Sequence, residues 1–173
     1  VMFTSDHGDN LGDYGIWNKR FFYEQSVGVP LIMAGPGIPL GDRNLTGKKS
    51  KALVSHLDLY PTILNYAGVE ACEAIERRPG LDILDMLYDR PRAKRGTVFA
   101  QLGTACMIRT GNWKMVFDPE QGGVQMVFNL AKDPNERDNL AGVAGYEAIT
   151  HDLTVQLLSQ HIRLSQFTHD KEE

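Results

Sequence analysis

Two cysteines in 173 residues, Cys72 and Cys106, are too few to staple a disulfide scaffold, and no Cys-x-x-Cys pair is present to hold zinc. They either bridge each other in an oxidising compartment or remain buried free thiols. Positive charge is not in excess: 18 Lys plus Arg stand against 22 Asp plus Glu, a net charge of −4. That balance argues against a nucleic-acid partner, which requires a basic face for phosphate contacts. No apolar run approaches the roughly 18 residues of a membrane-spanning helix, so no membrane partner is expected. The first residues carry no initiator Met and no basic stretch followed by a long apolar run, so a signal peptide is not read there. Repeats and low-complexity tracts are missing as well.

What is present is a globular composition, 42% hydrophobic and 23% charged. A chain of this length buries roughly 70% of its unfolded surface, enough for a core. Residues 1–5 (Val-Met-Phe-Thr-Ser) read as a short buried strand that opens directly into a loop rich in Gly and Asp, residues 6–18. Val29 to Met33 reads as a second buried strand, closed by Gly35-Pro36-Gly37. Residues 55–67 read as a helix capped by Ser55 or Asp58, with Pro61 in its first turn and Gly68 as its stop. A shorter helix is expected over 81–88, and the basic run 90–95 reads as a linker. Short β-like runs at 98–102, 105–109, 113–117 and 125–130, parted by Gly103, Gly111-Asn112 and Gly122-Gly123, predict an antiparallel meander. A final helix over about 144–166 carries Ile149, Leu153, Leu157 and Leu164 on one stripe. The fold class is therefore α/β, with domains expected at 1–89 and 90–173.

Chemistry concentrates in Ser5-Asp6-His7-Gly8-Asp9, where a strand ends and a Gly-rich loop begins. Ligands gather at the carboxyl ends of strands in α/β sheets. Asp6 offers a hard oxygen and His7 a borderline nitrogen, a pair suited to Ca²⁺, Mn²⁺, Mg²⁺ or Zn²⁺. The alternative is a capping Asp beside a hydrogen-bonded His. Two ligands are too few for a catalytic metal, so the others must come from elsewhere.

The phrases around this pair carry a resemblance. Gly12-Asp13-Tyr14-Gly15-x-Trp17-x-Lys19 runs into Phe22-Tyr23-Glu24-Gln25-Ser26 and Val29-Pro30-Leu31-Ile32. Later come Ser55-His56-Leu57-Asp58-Leu59-Tyr60-Pro61-Thr62, Arg109-Thr110-Gly111-Asn112-Trp113-Lys114, and Phe128-Asn129-Leu130-Ala131-x-Asp133-Pro134-x-Glu136-x-x-Asn139-Leu140-Ala141. In this order the chain resembles, from Val1 to about Phe167, the C-terminal portion of the sulfatases of the alkaline phosphatase superfamily. That group includes arylsulfatases, choline sulfatases and phosphonate monoester hydrolases. The resemblance implies the C-terminal part of an alkaline-phosphatase-like α/β sheet, followed by a small antiparallel sheet packed with a terminal helix.

It also implies roles. Asp6 and His7 would be two ligands of one divalent metal, Ca²⁺ first and Mn²⁺ or Mg²⁺ as alternatives. Lys19, within the phrase Lys-x-x-x-Tyr-Glu, would be the catalytic and substrate-binding cation on the sulfate oxygens. Tyr23 and Glu24 would fix the loop, Glu24 pairing with Arg20 or with backbone N–H groups. Trp17 is expected in the core, and His56 in a structural hydrogen bond. Asp133, Glu136 and Asn139 read as turn and capping residues. The sequon Asn44-Leu45-Thr46 has meaning only in a secreted eukaryotic chain.

The family's formylglycine arises from Cys or Ser in a Cys/Ser-x-Pro-x-Arg phrase, and neither cysteine nor any serine here sits in one. The resemblance places that nucleophile and the remaining metal ligands upstream. The expected activity is metal-dependent hydrolysis of small-molecule sulfate esters by the complete enzyme, with this chain inactive by itself. Two alternatives stand: a phosphodiester or phosphonate monoester hydrolase, and a non-catalytic interaction module on the same scaffold. An apolar first strand without its family neighbours is expected to self-associate; a monodisperse monomer in size-exclusion chromatography would contradict this.

Overall fold

Strand β1 (Met2–Thr4) pairs antiparallel with β2 (Leu31–Met33), joining Met2 to Met33 and Thr4 to Leu31. In this computed structural model the described residues are 1–38, 47, 49–69, 79–88 and 95–169, with side chains described as far as 165. Cys72, the sequon at Asn44 and the expected boundary between 89 and 90 lie outside them. Two compact units are present: Val1–Gly8 with Val29–Gly96, and Asp9–Gly28 with Thr97–Glu173.

In the first unit both strands are shorter than their apolar runs. Pro30 has no N–H to give to a ladder, and Asp6 turns the chain away. The expected helix is built from a 3₁₀ turn (His56–Asp58) and α2 (Leu59–Tyr66), helix α1 being Glu24–Val27 of the other unit. Ser55 and Asp58 act together as a capping box: Asp58 Oδ2 accepts the Ser55 N–H at 2.7 Å while Ser55 Oγ accepts from Leu57. Gly68, at φ 73, ends the helix as expected.

Asp58 is fully buried and organises this unit. Its carboxylate accepts from Ser55 N, from Leu81 N at 2.8 Å, and from both terminal nitrogens of Arg95 at 2.6 and 2.7 Å. Four donors meet one buried charge, which is what makes its burial tolerable. Thr62 repeats the device: Oγ1 accepts the Ile83 N–H at 2.9 Å at the start of α3 (Ile83–Leu87).

The second unit is the expected meander, β3 (Thr97–Leu102), β4 (Ala105–Thr110), β5 (Trp113–Asp118) and β6 (Gly123–Asn129), in that spatial order. One face carries Ile108, Met115 and Val127, all fully buried, against Leu153 of α4 (Glu147–His169). Ile149 and Leu157 join Leu153 there, so most of the predicted stripe meets the sheet. The opposite face carries Met107 and Val116, covered by Phe22 and Val27 from the 9–28 segment.

Candidate functional site

Asp6 and His7 sit just past β1, where the chain has left the extended ladder and both side chains turn toward each other. The Asp6 Oδ1 atom accepts the His7 N–H at 3.0 Å, which leaves Oδ2 facing the imidazole. His7 Nδ1 lies 2.7 Å from the Gly8 carbonyl, an acceptor only, so Nδ1 carries the proton. In the neutral ring Nε2 then holds a lone pair, and it lies 3.4 Å from Asp6 Oδ2. Two electron-rich atoms at this separation repel unless a cation or a proton lies between them. The Asp6 side chain is 83% exposed and that of His7 36%. Among the described residues no group of three or more His, Cys, Asp or Glu is gathered to hold a metal.

The backbone beneath the pair is anchored. His56 Nε2 lies 2.8 Å from the Ser5 carbonyl, the structural hydrogen bond anticipated for that histidine. Because His56 belongs to the turn that Asp58 caps, the Arg95–Asp58 pair, the capping box and the end of β1 form one connected chain of contacts.

Lys19 belongs to the second unit, is exposed, and has its backbone carbonyl held by Ser26 Oγ at 2.9 Å. The segment that follows is fixed by a cluster not anticipated from the sequence. Lys114 on β5 is completely buried, and its ammonium meets the Phe22 carbonyl at 2.9 Å, Glu24 Oε1 at 2.6 Å and Glu136 Oε1 at 2.5 Å. Glu136 Oε2 also accepts the Glu24 N–H at 2.7 Å, capping α1 from a position 112 residues away. Glu24 therefore pairs with Lys114, and with Arg109 Nε at 3.6 Å, rather than with Arg20. Glu136 is not simply a turn residue: it is buried, holds φ 53, and neutralises a lysine. Asn139 does bracket the chain as expected, its Oδ1 accepting from Val127 N and Ala141 N.

Tyr23 stacks on Tyr14 with centroids 4.2 Å apart. Burial raises its phenol pKa above the usual 10.0, with Tyr14 and Glu136 adding to the effect. Tyr14 itself sits at φ 58 and donates its hydroxyl to the Asn135 carbonyl. Non-glycine residues at positive φ cost about 1–3 kcal/mol each and collect where a loop is held for use. Trp17 is 77% exposed among the described residues, not a core residue as expected. A Cβ on Gly12, which at φ 99 favours glycine, would lie 3.1 Å from its ring.

Comparison with known proteins bears on the family and the fold. The family model described as N-sulphoglucosamine sulphohydrolase, C-terminal, matches residues 12–163. The choline-sulfatase of Rhizobium meliloti is 37% identical over 148 residues, covering 82% of this chain and 27% of that protein. Arylsulfatase K of Mus musculus is 31% identical over 173 residues, covering 92% of this chain and 29% of that protein. The chain thus spans less than a third of the length of both relatives. Among solved structures, a 2-O GAG sulfatase is 26% identical with a TM-score of 0.78, covering 98% of this chain and 37% of that one. The phosphonate monoester hydrolase of Agrobacterium radiobacter is 25% identical with a TM-score of 0.74, covering 96% of this chain and 35% of that one. With the family model, the sheet and terminal helix and the relatives all in accord, the chain belongs to the sulfatase family of the alkaline phosphatase superfamily and corresponds to its C-terminal part.

Proposed function

We propose that this chain supplies part of the metal- and anion-binding apparatus of an enzyme that hydrolyses sulfate esters. Asp6 and His7 hold one divalent cation, Ca²⁺ by preference, and Lys19 binds the sulfate group. The observation that carries the reading is the convergence of Asp6 Oδ2 and His7 Nε2 at 3.4 Å in a chain of this family. That separation is close to the distance between neighbouring ligands on one ion with bonds of about 2.4 Å. The donor set fits a hard divalent cation as two ligands of a larger shell.

When bound, the metal supplies fixed positive charge for the ester oxygens. The residues here determine how it is held. The Gly8 carbonyl keeps the proton on Nδ1 and directs Nε2 outward, the outer-shell arrangement that orients metal-bound histidines. The His7 N–H does the same for Asp6 by occupying Oδ1. Lys19 adds an ammonium that neutralises the transferred oxyanion, an interaction that strengthens as charge develops. Formylglycine as nucleophile is part of the proposal and would be contributed by residues outside this chain.

A second reading, hydrolysis of phosphonate monoesters or phosphodiesters, is favoured by the likeness to the Agrobacterium phosphonate monoester hydrolase. A substrate panel on the complete protein separates the two. Faster turnover of aryl sulfates than of phosphodiesters supports the first, and the reverse order rejects it. No turnover of either class, with a metal-loaded and correctly folded protein, rejects both in favour of an interaction module.

A further inference from the structure

We propose that Lys114 is a positioning residue for Lys19, acting through the 22–26 segment; this rests on the reading of Lys19 as the sulfate-binding cation. Lys114 lies directly opposite Arg109 in the β4–β5 register, so two cations share one sheet face. Like charges in that relation repel. The face tolerates them because Glu24 meets both and Glu136 meets Lys114.

The ammonium donates to the Phe22 carbonyl and forms ion pairs with Glu24 and Glu136, and two of these partners, the Phe22 carbonyl and Glu24, belong to the segment leading from Lys19 into α1. The third, Glu136, reaches the same segment through its second oxygen at Glu24 N. Ser26, buried at the middle of α1, then returns a hydrogen bond to the Lys19 carbonyl. A path from the centre of β5 to the backbone of Lys19 therefore runs through short polar contacts to segment 22–24, along the α1 backbone to Ser26, and through its hydrogen bond to the Lys19 carbonyl.

Stability is a poor explanation for this arrangement. Well-packed apolar side chains often replace a buried ion network with no loss of stability. What the network provides is direction: the hydrogen bonds from Lys114 to the Phe22 carbonyl and from Glu24 N–H to Glu136, with the ion pairs beside them, favour one placement of segment 19–26 on the sheet. An apolar contact would tolerate sliding. The positive φ of Glu136 points the same way, since a non-glycine backbone in the left-handed region persists only where its surroundings over-determine it.

The experiment is a double-mutant cycle on kcat/KM for an aryl sulfate in the complete enzyme, joined to limited tryptic digestion. Lys114→Met lowers kcat/KM by about 10-fold or more in the wild-type background. In a Lys19→Ala background the same change costs less than about 2-fold, because the group it positions is already gone. Equal losses in both backgrounds overturn the proposal. Ser26→Ala, a smaller perturbation, follows the same pattern and serves if Lys114→Met does not fold. Digestion reads the placement without activity. Cleavage after Lys19 and Arg20 rises about 10-fold relative to cleavage after Arg163 in α4, which reports opening of the whole unit. A parallel rise at all three sites, or no rise, makes Lys114 a merely structural residue. If wild-type protein hydrolyses no sulfate ester, the functional reading fails, and the digestion ratio still decides whether Lys114 holds the segment.

Discussion

Replacing Asp58 with Ala is the most informative test of how the Asp6–His7 end of β1 is supported. The carboxylate is fully buried and serves Ser55 N, Leu81 N and both terminal nitrogens of Arg95. Removing it leaves the Arg95 guanidinium, whose side chain is 12% exposed, with the Pro79 carbonyl at 3.4 Å as its remaining described contact. Breaking a buried pair from one side costs about 3–5 kcal/mol. Each orphaned N–H adds about 1–3 kcal/mol unless water reaches it, and the cavity left by the carboxylate admits water to at least one. A loss of about 4–6 kcal/mol follows, against a total of about 5–15 kcal/mol for an average domain. For a chain of this size it corresponds to a fall in Tm of about 10–20 °C. Asp58→Asn keeps one acceptor and should lose about half as much.

The assay must report on the correct unit. Both tryptophans, Trp17 and Trp113, belong to the second unit, so their fluorescence can miss the change. Hydrogen exchange in peptides covering 55–66 and 79–88 reads it directly. Arg95→Met should also destabilise, and the double variant should be less unstable than the sum by about 2–3 kcal/mol. Additive effects, or a loss below about 1 kcal/mol for Asp58→Ala, would refute the placement of Asp58 at the centre of this unit.

Other consequences are as direct. Calorimetric titration of this chain with Ca²⁺ or Mn²⁺ should give a Kd weaker than about 1 μM, with the heat abolished by His7→Ala; tighter binding would mean ligands beyond Asp6 and His7. Gly80→Ala should destabilise by about 2–4 kcal/mol in thermal melts, because the new Cβ would lie 2.1 Å from the Leu57 carbonyl oxygen in backbone that cannot yield cheaply. The Cys106 thiol, raised above its ordinary 9.0 by burial and then by Asp118, should be alkylated by iodoacetamide more slowly at pH 8 in the folded chain than in urea. Its contribution to stability is fully present below the unfolded thiol pKa and is lost as pH rises through the raised folded value. A folded-state rate profile centred at or below that of the unfolded chain would contradict the burial argument.

The limits of the sequence reading have a physical pattern. The meander was legible because Gly111-Asn112 and Gly122-Gly123 mark turns between alternating runs, and those signals span only a few residues. The terminal helix starts at Glu147 rather than near Ala144 because Gly145 sits at φ 94, with its N–H received by Glu147 Oε2. Asp6 and His7 stood out for the same local reason, a strand ending in a carboxylate, an imidazole and a glycine. The Lys114 cluster did not, although one trace of it was visible. Within Trp113-Lys-Met-Val-Phe117 a single cation interrupts a run that otherwise reads as buried on both faces, and a charge there needs an anion. The sequence does not say which. Glu24 precedes it by 90 residues and Glu136 follows by 22, beside Asp133-Pro134, where a turn explains an acidic residue equally well. Local rules place each of these side chains in its own element. Only the fold brings them together, and a buried cation without a local partner is therefore the feature to pursue when the anchor of a functional loop is sought from sequence.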